Sequence, residues 1–324
     1  MRVLISGGWG SIGTQVIDQF LKKTDWEVVV LDSFRHKGYR DRMDLIDDIS
    51  RVKTIQTDLT CPISPEMIRE IGDIDYILHL AALSDVFFSV ENPVYTIQNN
   101  VNSTLMLLEY ARMIEPKAFV YFSTDEVYGP VEKGKAHKEW ETHKPSNAYA
   151  ASKAACEDIC YSYWRSYDLP LIITNTMNNF GFAQSASKFP VIIQNKIEKG
   201  ETVTIHGNDK EIGTRFYIDS RDVADALLVI LEKGAYHHKL GVIDDPLRYH
   251  IVGEKALSNL ELAQTIANLM GRELKYELQD FHKDNPAHDI HYGLENNNLD
   301  WKPQKLEKRL KEVIDWQTKH KEWI

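Results

Sequence analysis

Apolar and polar positions alternate in blocks along the first half of the chain. Short apolar runs stand at Val3-Leu4-Ile5, Val28-Val29-Val30-Leu31, Thr54-Ile55-Gln56, Tyr76-Ile77-Leu78, Phe119-Val120-Tyr121-Phe122 and Leu171-Ile172-Ile173. Most are apolar at successive residues, so both faces of each strand must be covered. Helix-like stretches lie between them, over Ser11 to Lys22, Val94 to Met113 and Tyr149 to Tyr167. This rhythm predicts an α/β fold with a Rossmann-type doubly wound parallel sheet. After about residue 175 the elements shorten and loops lengthen. The expected division is a main domain over 1–175 and a smaller mixed α/β lobe over 176–324. Two stretches, Arg215 to Ile218 and Tyr249 to Val252, read as returns to the main sheet, near 215–230 and 249–252.

Composition narrows the class. The 324 residues are 43% hydrophobic and 27% charged, enough to bury a core without disulfide or metal staples. The net charge of −10 argues against non-specific binding to nucleic acid or a membrane surface. An anionic ligand must therefore be held by a local site. Cys61, Cys156 and Cys160 cannot all pair and lack a zinc spacing. They read as core or interface thiols in a reducing, cytoplasmic setting. The first residues enter a strand without signal-peptide features, and no apolar stretch is long enough to span a bilayer.

The first strand runs into Ser6-Gly7-Gly8-Trp9-Gly10-Ser11-Ile12-Gly13. Small residues here allow a tight turn and let backbone N–H groups approach a pyrophosphate, which the positive end of the next helix also attracts. Asp32 closes the second strand, 19 residues beyond Gly13. A carboxylate there bonds ribose hydroxyls and repels a 2′-phosphate, which favours NAD over NADP. Arg35 and His36 follow closely and weigh the other way. Asp58-Leu59, after the third strand, reads equally as an adenine contact or as a strand-end turn.

Tyr149 and Lys153 lie one helical turn apart. A nearby ammonium is expected to lower the phenol's pKa and make it a usable base. Upstream, the fifth strand ends in Ser123-Thr124-Asp125-Glu126-Val127-Tyr128-Gly129. The carboxyl ends of parallel strands face the ligand crevice. The same residue types also suit a helix N-cap.

Together these motifs resemble the extended short-chain dehydrogenases/reductases, the NAD-dependent epimerases and dehydratases of nucleotide sugars. Further points of likeness are His79-Leu80-Ala81-Ala82, Asn100-Val101, Asn178-Asn179-Phe180-Gly181, Pro286-Ala287-His288-Asp289 and Leu299-Asp300-Trp301-Lys302-Pro303. Within the family the chain is most similar to the nucleoside-diphosphate-glucose 4,6-dehydratases, through the Asp125-Glu126 pair. The resemblance implies an NAD site at Gly7, Gly10, Ser11, Ile12, Gly13, Asp32, Asp58, Leu59, Leu80, Ala81, Ala82, Asn100, Tyr149 and Lys153. It implies catalysis by Thr124, Asp125, Glu126, Tyr149 and Lys153. It places a nucleotide-sugar substrate on Ser84, Asn178, Asn179, Lys188, Arg215 and His288, and implies a homodimer built on the helices over Val94–Met113 and Tyr149–Tyr167.

The sequence also departs from that pattern. Leu83-Ser84-Asp85-Val86-Phe87 replaces the family's Glu-Ser-His-Val-Asp, Asn175 stands for an arginine, Ser187-Lys188 for Glu-Lys, and Ile290-His291 for Arg-Arg. These changes fall where sugar and base are expected. The activity implied is conversion of a dTDP- or UDP-glucose-like substrate to its 4-keto-6-deoxy product. A 4-epimerase, a 5,6-dehydratase or a decarboxylase is the alternative on the same scaffold.

Overall fold

The computed structural model describes residues 1–35, 38–208, 210–240, 245–280, 290–295 and 299–323. Seven strands form the main sheet: β1 (Arg2–Ser6), β2 (Glu27–Asp32), β3 (Val52–Gln56), β4 (Tyr76–His79), β5 (Ala118–Thr124), β6 (Leu171–Thr176) and β10 (Leu247–Ile251). They run in the order β3-β2-β1-β4-β5-β6-β10, and every pairing is parallel. This is the doubly wound arrangement expected from the sequence. Its order reverses between β1 and β4, where Ser6 pairs with His79. A crevice must open there, because the connections leave the two strand ends in opposite directions.

The apolar runs are covered on both faces. Val3, Ile5, Val28, Val30, Val120 and Ile172 pack with α1 (Ser11–Lys23) and α8 (Ser220–Leu240). Leu4, Val29, Leu31, Ile77, Phe119 and Ile173 point the other way, onto α5 (Pro93–Ile114) and α6 (Ala148–Tyr167). Adjacent residues thus join different cores, as the two-residue strand repeat requires. Cys156 and Cys160 fill the second core as free thiols, and Cys61 is exposed.

The remaining elements build a smaller body. Strand β9 (Thr214–Asp219) pairs with β7 (Asn178–Phe180) and β11 (Ala256–Ser258), while β8 (Val203–His206) pairs with β12 (Tyr276–Gln279). Helices α7 (Phe189–Lys199), α9 (Asn259–Met270) and α10 (Leu306–Lys319) close over them around Ile193, Ile205, Tyr217, Leu262 and Leu310. The expected return of Arg215–Ile218 to the main sheet is therefore corrected. That strand forms the middle of the three-stranded sheet, and it is the following helix, α8, that rejoins the main core. The return near 249–252 is strand β10. No described helix is long and apolar enough to cross a membrane.

Candidate active site

The glycine loop is shaped by close backbone contacts. Gly7 has φ +67°, and a Cβ there would lie 2.8 Å from Ala81 Cα. A Cβ on Gly13 would sit 2.6 Å from the carbonyl oxygens of Gly7 and Gly8. Only glycine permits this loop to fold against both the first helix turn and the β4 end. Gly10 begins α1, its carbonyl accepting from Thr14 N at 2.9 Å, without a capping side chain over the loop. The bare loop and helix start fit a dinucleotide pyrophosphate.

Asp32 is buried and ties this loop to the end of β2. Its two oxygens accept from Trp9 N at 3.0 Å and Phe34 N at 2.9 Å. It also lines a small hollow with Gly7, Asp58, Leu59, Ala81 and Ala82. Arg35 crosses this hollow, paired with Asp58 and donating to Asn99 Oδ1 at 3.0 Å. Asp58 also accepts from Thr60 N, so it serves as a turn residue while facing the hollow. Asn100 plays a supporting part. Its amide accepts from Leu83 N at 2.8 Å and donates to Ser152 Oγ at 2.8 Å, fixing the loop after β4 to α5 and α6. His79 is locked between Ser6 Oγ and Thr104 Oγ1, and burial lowers its pKa to about 3. It is a neutral packing residue.

A larger cleft of about 430 Å³ continues from Ala82. It brings together Ser11, Ile12, Leu80, Ser84, Thr124, Asp125, Glu126, Tyr149, Lys153, Asn178, Asn179 and Lys188, which are up to 177 positions apart in sequence. Its walls also include Phe87, Met177, Phe189 and Tyr217, which the sequence reading did not select. Arg215 lies beside this group. Its guanidinium donates to the carbonyls of Thr214 and Ile290, lies 4.6 Å over the Tyr292 ring, and helps draw down the Asp125 pKa. His288 lies outside the described residues.

The cleft floor is the turn Asp125–Tyr128, entered from β5. Thr124 Oγ1 donates to Asp125 Oδ1 at 3.0 Å. Burial, and then the Glu126 charge, push the Asp125 carboxyl up to about 7. Asn147, the N-cap of α6, donates from Nδ2 to Glu126 Oε2 at 3.0 Å. Asn147 was missed at the sequence level, although an asparagine two residues before Tyr149 is a helix-start signal.

Tyr149 and Lys153 face the same cleft, but their electrostatics differ from the expectation. The Lys153 ammonium donates to Phe122 O at 2.7 Å and lies 4.2 Å over the Tyr121 ring. Burial lowers its pKa to about 8. The Tyr149 phenol is raised, first by burial and then by Glu126, with a Thr124 hydrogen bond working the other way. The expected lowering by Lys153 is not found, and desolvation and the neighbouring carboxylate set the direction instead.

A parallel sheet with a glycine loop at its switch point, and a Thr-Asp-Glu turn facing a Tyr/Lys helix, defines a dinucleotide-dependent enzyme of the short-chain dehydrogenase type. Comparison with known proteins agrees. The model of the NAD dependent epimerase/dehydratase family matches residues 3–241. A dTDP-glucose 4,6-dehydratase of Haemophilus influenzae is 30% identical, over 98% of this chain and 97% of its own. The solved dTDP-glucose 4,6-dehydratase DesIV of Streptomyces venezuelae, with NAD bound, has a TM-score of 0.86 at 27% identity, covering 100% of this chain and 98% of its own. A Thermus thermophilus UDP-glucose 4-epimerase solved with NAD has a TM-score of 0.81 at 26% identity, covering 98% of each chain. The chain belongs to the NAD-dependent epimerase/dehydratase family, and NAD is its cofactor.

Proposed function

We propose that the chain is a nucleoside-diphosphate-glucose 4,6-dehydratase. The observation that carries this reading is the pair Asp125/Glu126, two adjacent carboxyls on one cleft floor in unlike surroundings. Acid and base work by like groups needs such a difference in protonation. NAD, held by the glycine loop and the Asp32 end of β2, would supply the hydride acceptor and donor that link C4 and C6 of the sugar. Tyr149, bonded to Thr124 and sharing the cleft with Lys153, takes the 4-hydroxyl proton as a phenolate, a form that the burial-raised phenol would reach when the positive charge of bound NAD offsets the neighbouring carboxylates. A ketone at C4 acidifies the C5–H, and Glu126, oriented by Asn147, removes that proton. Asp125, about half protonated near pH 7, gives its proton to the departing 6-hydroxyl, and water leaves as the C5–C6 double bond forms; hydride addition at C6 is completed by return of the Glu126 proton to C5.

Residues 1–175, with α8 and β10, form the cofactor unit in this reading. The rest of 176–324 holds the nucleotide sugar, through Asn178, Asn179, Lys188, Arg215 and the family-like His288, with Ser84 from the opposite wall. Lys188 and Arg215 supply local positive charge for a diphosphate in an acidic chain. Homodimerisation is supported by the outward apolar side chains Phe88, Val90, Val94, Tyr95 and Ile97 on α4 (Val86–Glu91) and α5. Leu108, on the same helix α5, packs on the sheet instead.

The likeness to the Thermus enzyme favours a second reading, 4-epimerisation. It uses Tyr149, Thr124 and NAD but leaves Asp125 and Glu126 without a task. Incubation with dTDP-glucose and UDP-glucose separately, followed by mass and proton NMR, tests the proposal. Loss of one water with a new C6 methyl signal is expected, and Asp125→Asn and Glu126→Gln should each abolish it. Full dehydration by both variants, or unchanged mass with galacto-configured product, would overturn the reading.

A further inference from the structure

Behind the cleft floor lies a buried charged cluster that the mechanism above does not use. Its centre is Glu157 on α6, one turn beyond Lys153, whose side chain has no exposed surface. Glu157 Oε1 accepts from Asn175 Nδ2 at 2.7 Å. Glu157 Oε2 is 2.7 Å from Arg248 Nη1 and 3.1 Å from His143 Nε2. Arg248 and Asn175 come from the neighbouring strands β10 and β6. Such a pair is costly to bury, and breaking it is costlier still, so its position calls for an explanation.

The cluster's other contacts give one. Asn175 Nδ2 also donates to Thr124 O at 3.0 Å, at the start of the catalytic turn. Arg248 Nη1 donates to Tyr128 Oη at 2.8 Å, at the end of the same turn. Tyr128 Oη further donates toward Asn175 Oδ1 at 3.3 Å and faces His250 Nε2 at 3.0 Å. His250 Nδ1 in turn is 2.9 Å from Glu295 O, which fixes the ring. Both ends of the four-residue turn that carries Asp125 and Glu126 are thereby anchored to one ion pair.

We infer that Glu157, Arg248 and Asn175 are positioning residues that hold the Asp125–Tyr128 turn in register for proton transfer at the sugar. The inference builds on the dehydratase reading for its chemistry, but the anchoring itself is independent of substrate. Although burial alone would raise it, Arg248 and then His143 hold the Glu157 carboxyl below its ordinary value, so the pair is ionised at neutral pH. Proton transfer tolerates little displacement, and a misplacement of about 1 Å can cost roughly a hundredfold in rate.

A hollow of about 440 Å³, lined by Trp140, His143, Glu157, Tyr161 and Arg248, reaches the pair from the side away from the cleft. It offers a test by chemical rescue. Asn175→Ala removes both amide anchors without stranding a charge. It should lower kcat about ten- to a hundredfold, with KM and NAD content near wild type. Backbone amides of residues 125–129 should exchange with deuterium faster, while those of the glycine loop stay unchanged. Arg248→Ala should show the same split and regain rate on addition of guanidinium ion, which leaves Arg248→Lys and wild type unimproved. If Arg248→Ala does not fold, Asn175→Ala decides alone. Folded variants with wild-type exchange at 125–129 and no selective loss of kcat would overturn the inference. If wild type itself turns over neither sugar, the dehydratase reading fails, and the exchange rates still decide whether the turn is anchored in this way.

Discussion

Asp125 and Glu126 are consecutive residues in one turn, yet their carboxyls meet different partners. Asp125 is buried and accepts from Thr124 Oγ1, whereas Glu126 is only partly buried and accepts from Asn147 Nδ2. Adjacent carboxylates in a drying cleft cannot both ionise without cost, and the more buried one keeps its proton. The two carboxyls thereby differ in their readiness to ionise before any substrate arrives.

The first expectation concerns pH. In the proposed mechanism Asp125 acts in its protonated form, which prevails below about 7. The rate of water loss should therefore fall as pH rises through about 7. Lys153 loses its charge near 8, which steepens the fall. A pH profile of single-turnover dehydration checks this, and a rate that climbs steadily from pH 6 to 9 would remove Asp125 from the acid role.

The same shift has a stability consequence. Asp125 moves from 3.8 to about 7 on folding, so ionisation opposes the folded state. The penalty is absent below pH 3.8 and grows as pH rises toward 7, reaching up to about 4 kcal/mol at pH 8. Asp125→Asn should therefore melt at a higher temperature than wild type at pH 8, while losing dehydration. Thermal melts at pH 5 and 8 should show the gain shrinking at the lower pH.

Gly13→Ala should cost both cofactor and stability. Its Cβ would meet the Gly7 and Gly8 carbonyls at 2.6 Å, and backbone atoms cannot swing aside as side chains do. A loss of about 1–3 kcal/mol is expected, with NAD absent after purification. Cofactor content and melting temperature of the purified variant measure both effects.

The apolar surface of α4 and α5 predicts association. Val94 is 66% exposed, Ile97 39% and Phe88 37%, and the Phe88 ring lies against Tyr95. A double change, Val94→Asp with Ile97→Asp, should convert a dimer to a monomer in light scattering without lowering the melting temperature of the sheet core. A wild-type monomer at micromolar concentration would contradict the proposed interface.

Much of this architecture could be read from local signals. The run from Val3 to Gly13 contains a whole strand–turn–helix unit, and its glycines act through contacts within that unit. The placement of Thr124, Asp125 and Glu126 in the cleft was legible because strand ends in a parallel sheet open onto the ligand crevice. What escaped was long-range. Nothing near Arg215 indicates that its strand will pair with Asn178–Phe180 and Ala256–Ser258 in a separate sheet. The partners of Asn100, Leu83 and Ser152, are 17 and 52 residues away, so its tie between α5, α6 and the loop after β4 shows in no one stretch of sequence. The anchoring of Tyr128 by Arg248 spans 120 residues, and neither neighbourhood shows it alone. The electrostatics of Tyr149 followed burial, which one-turn spacing to Lys153 cannot report.

The central proposal is that the hydrogen lost at C4 returns to C6 of the same sugar, a transfer for which NAD would supply the hydride carrier, and that Asp125 and Glu126 expel water between the two. Nucleoside-diphosphate glucose deuterated at C4 tests it most directly. The account predicts a product lighter by one water, with the deuterium in the C6 methyl group. A product of unchanged mass with deuterium still at C4 would contradict it and assign Tyr149 and Thr124 to epimerisation alone.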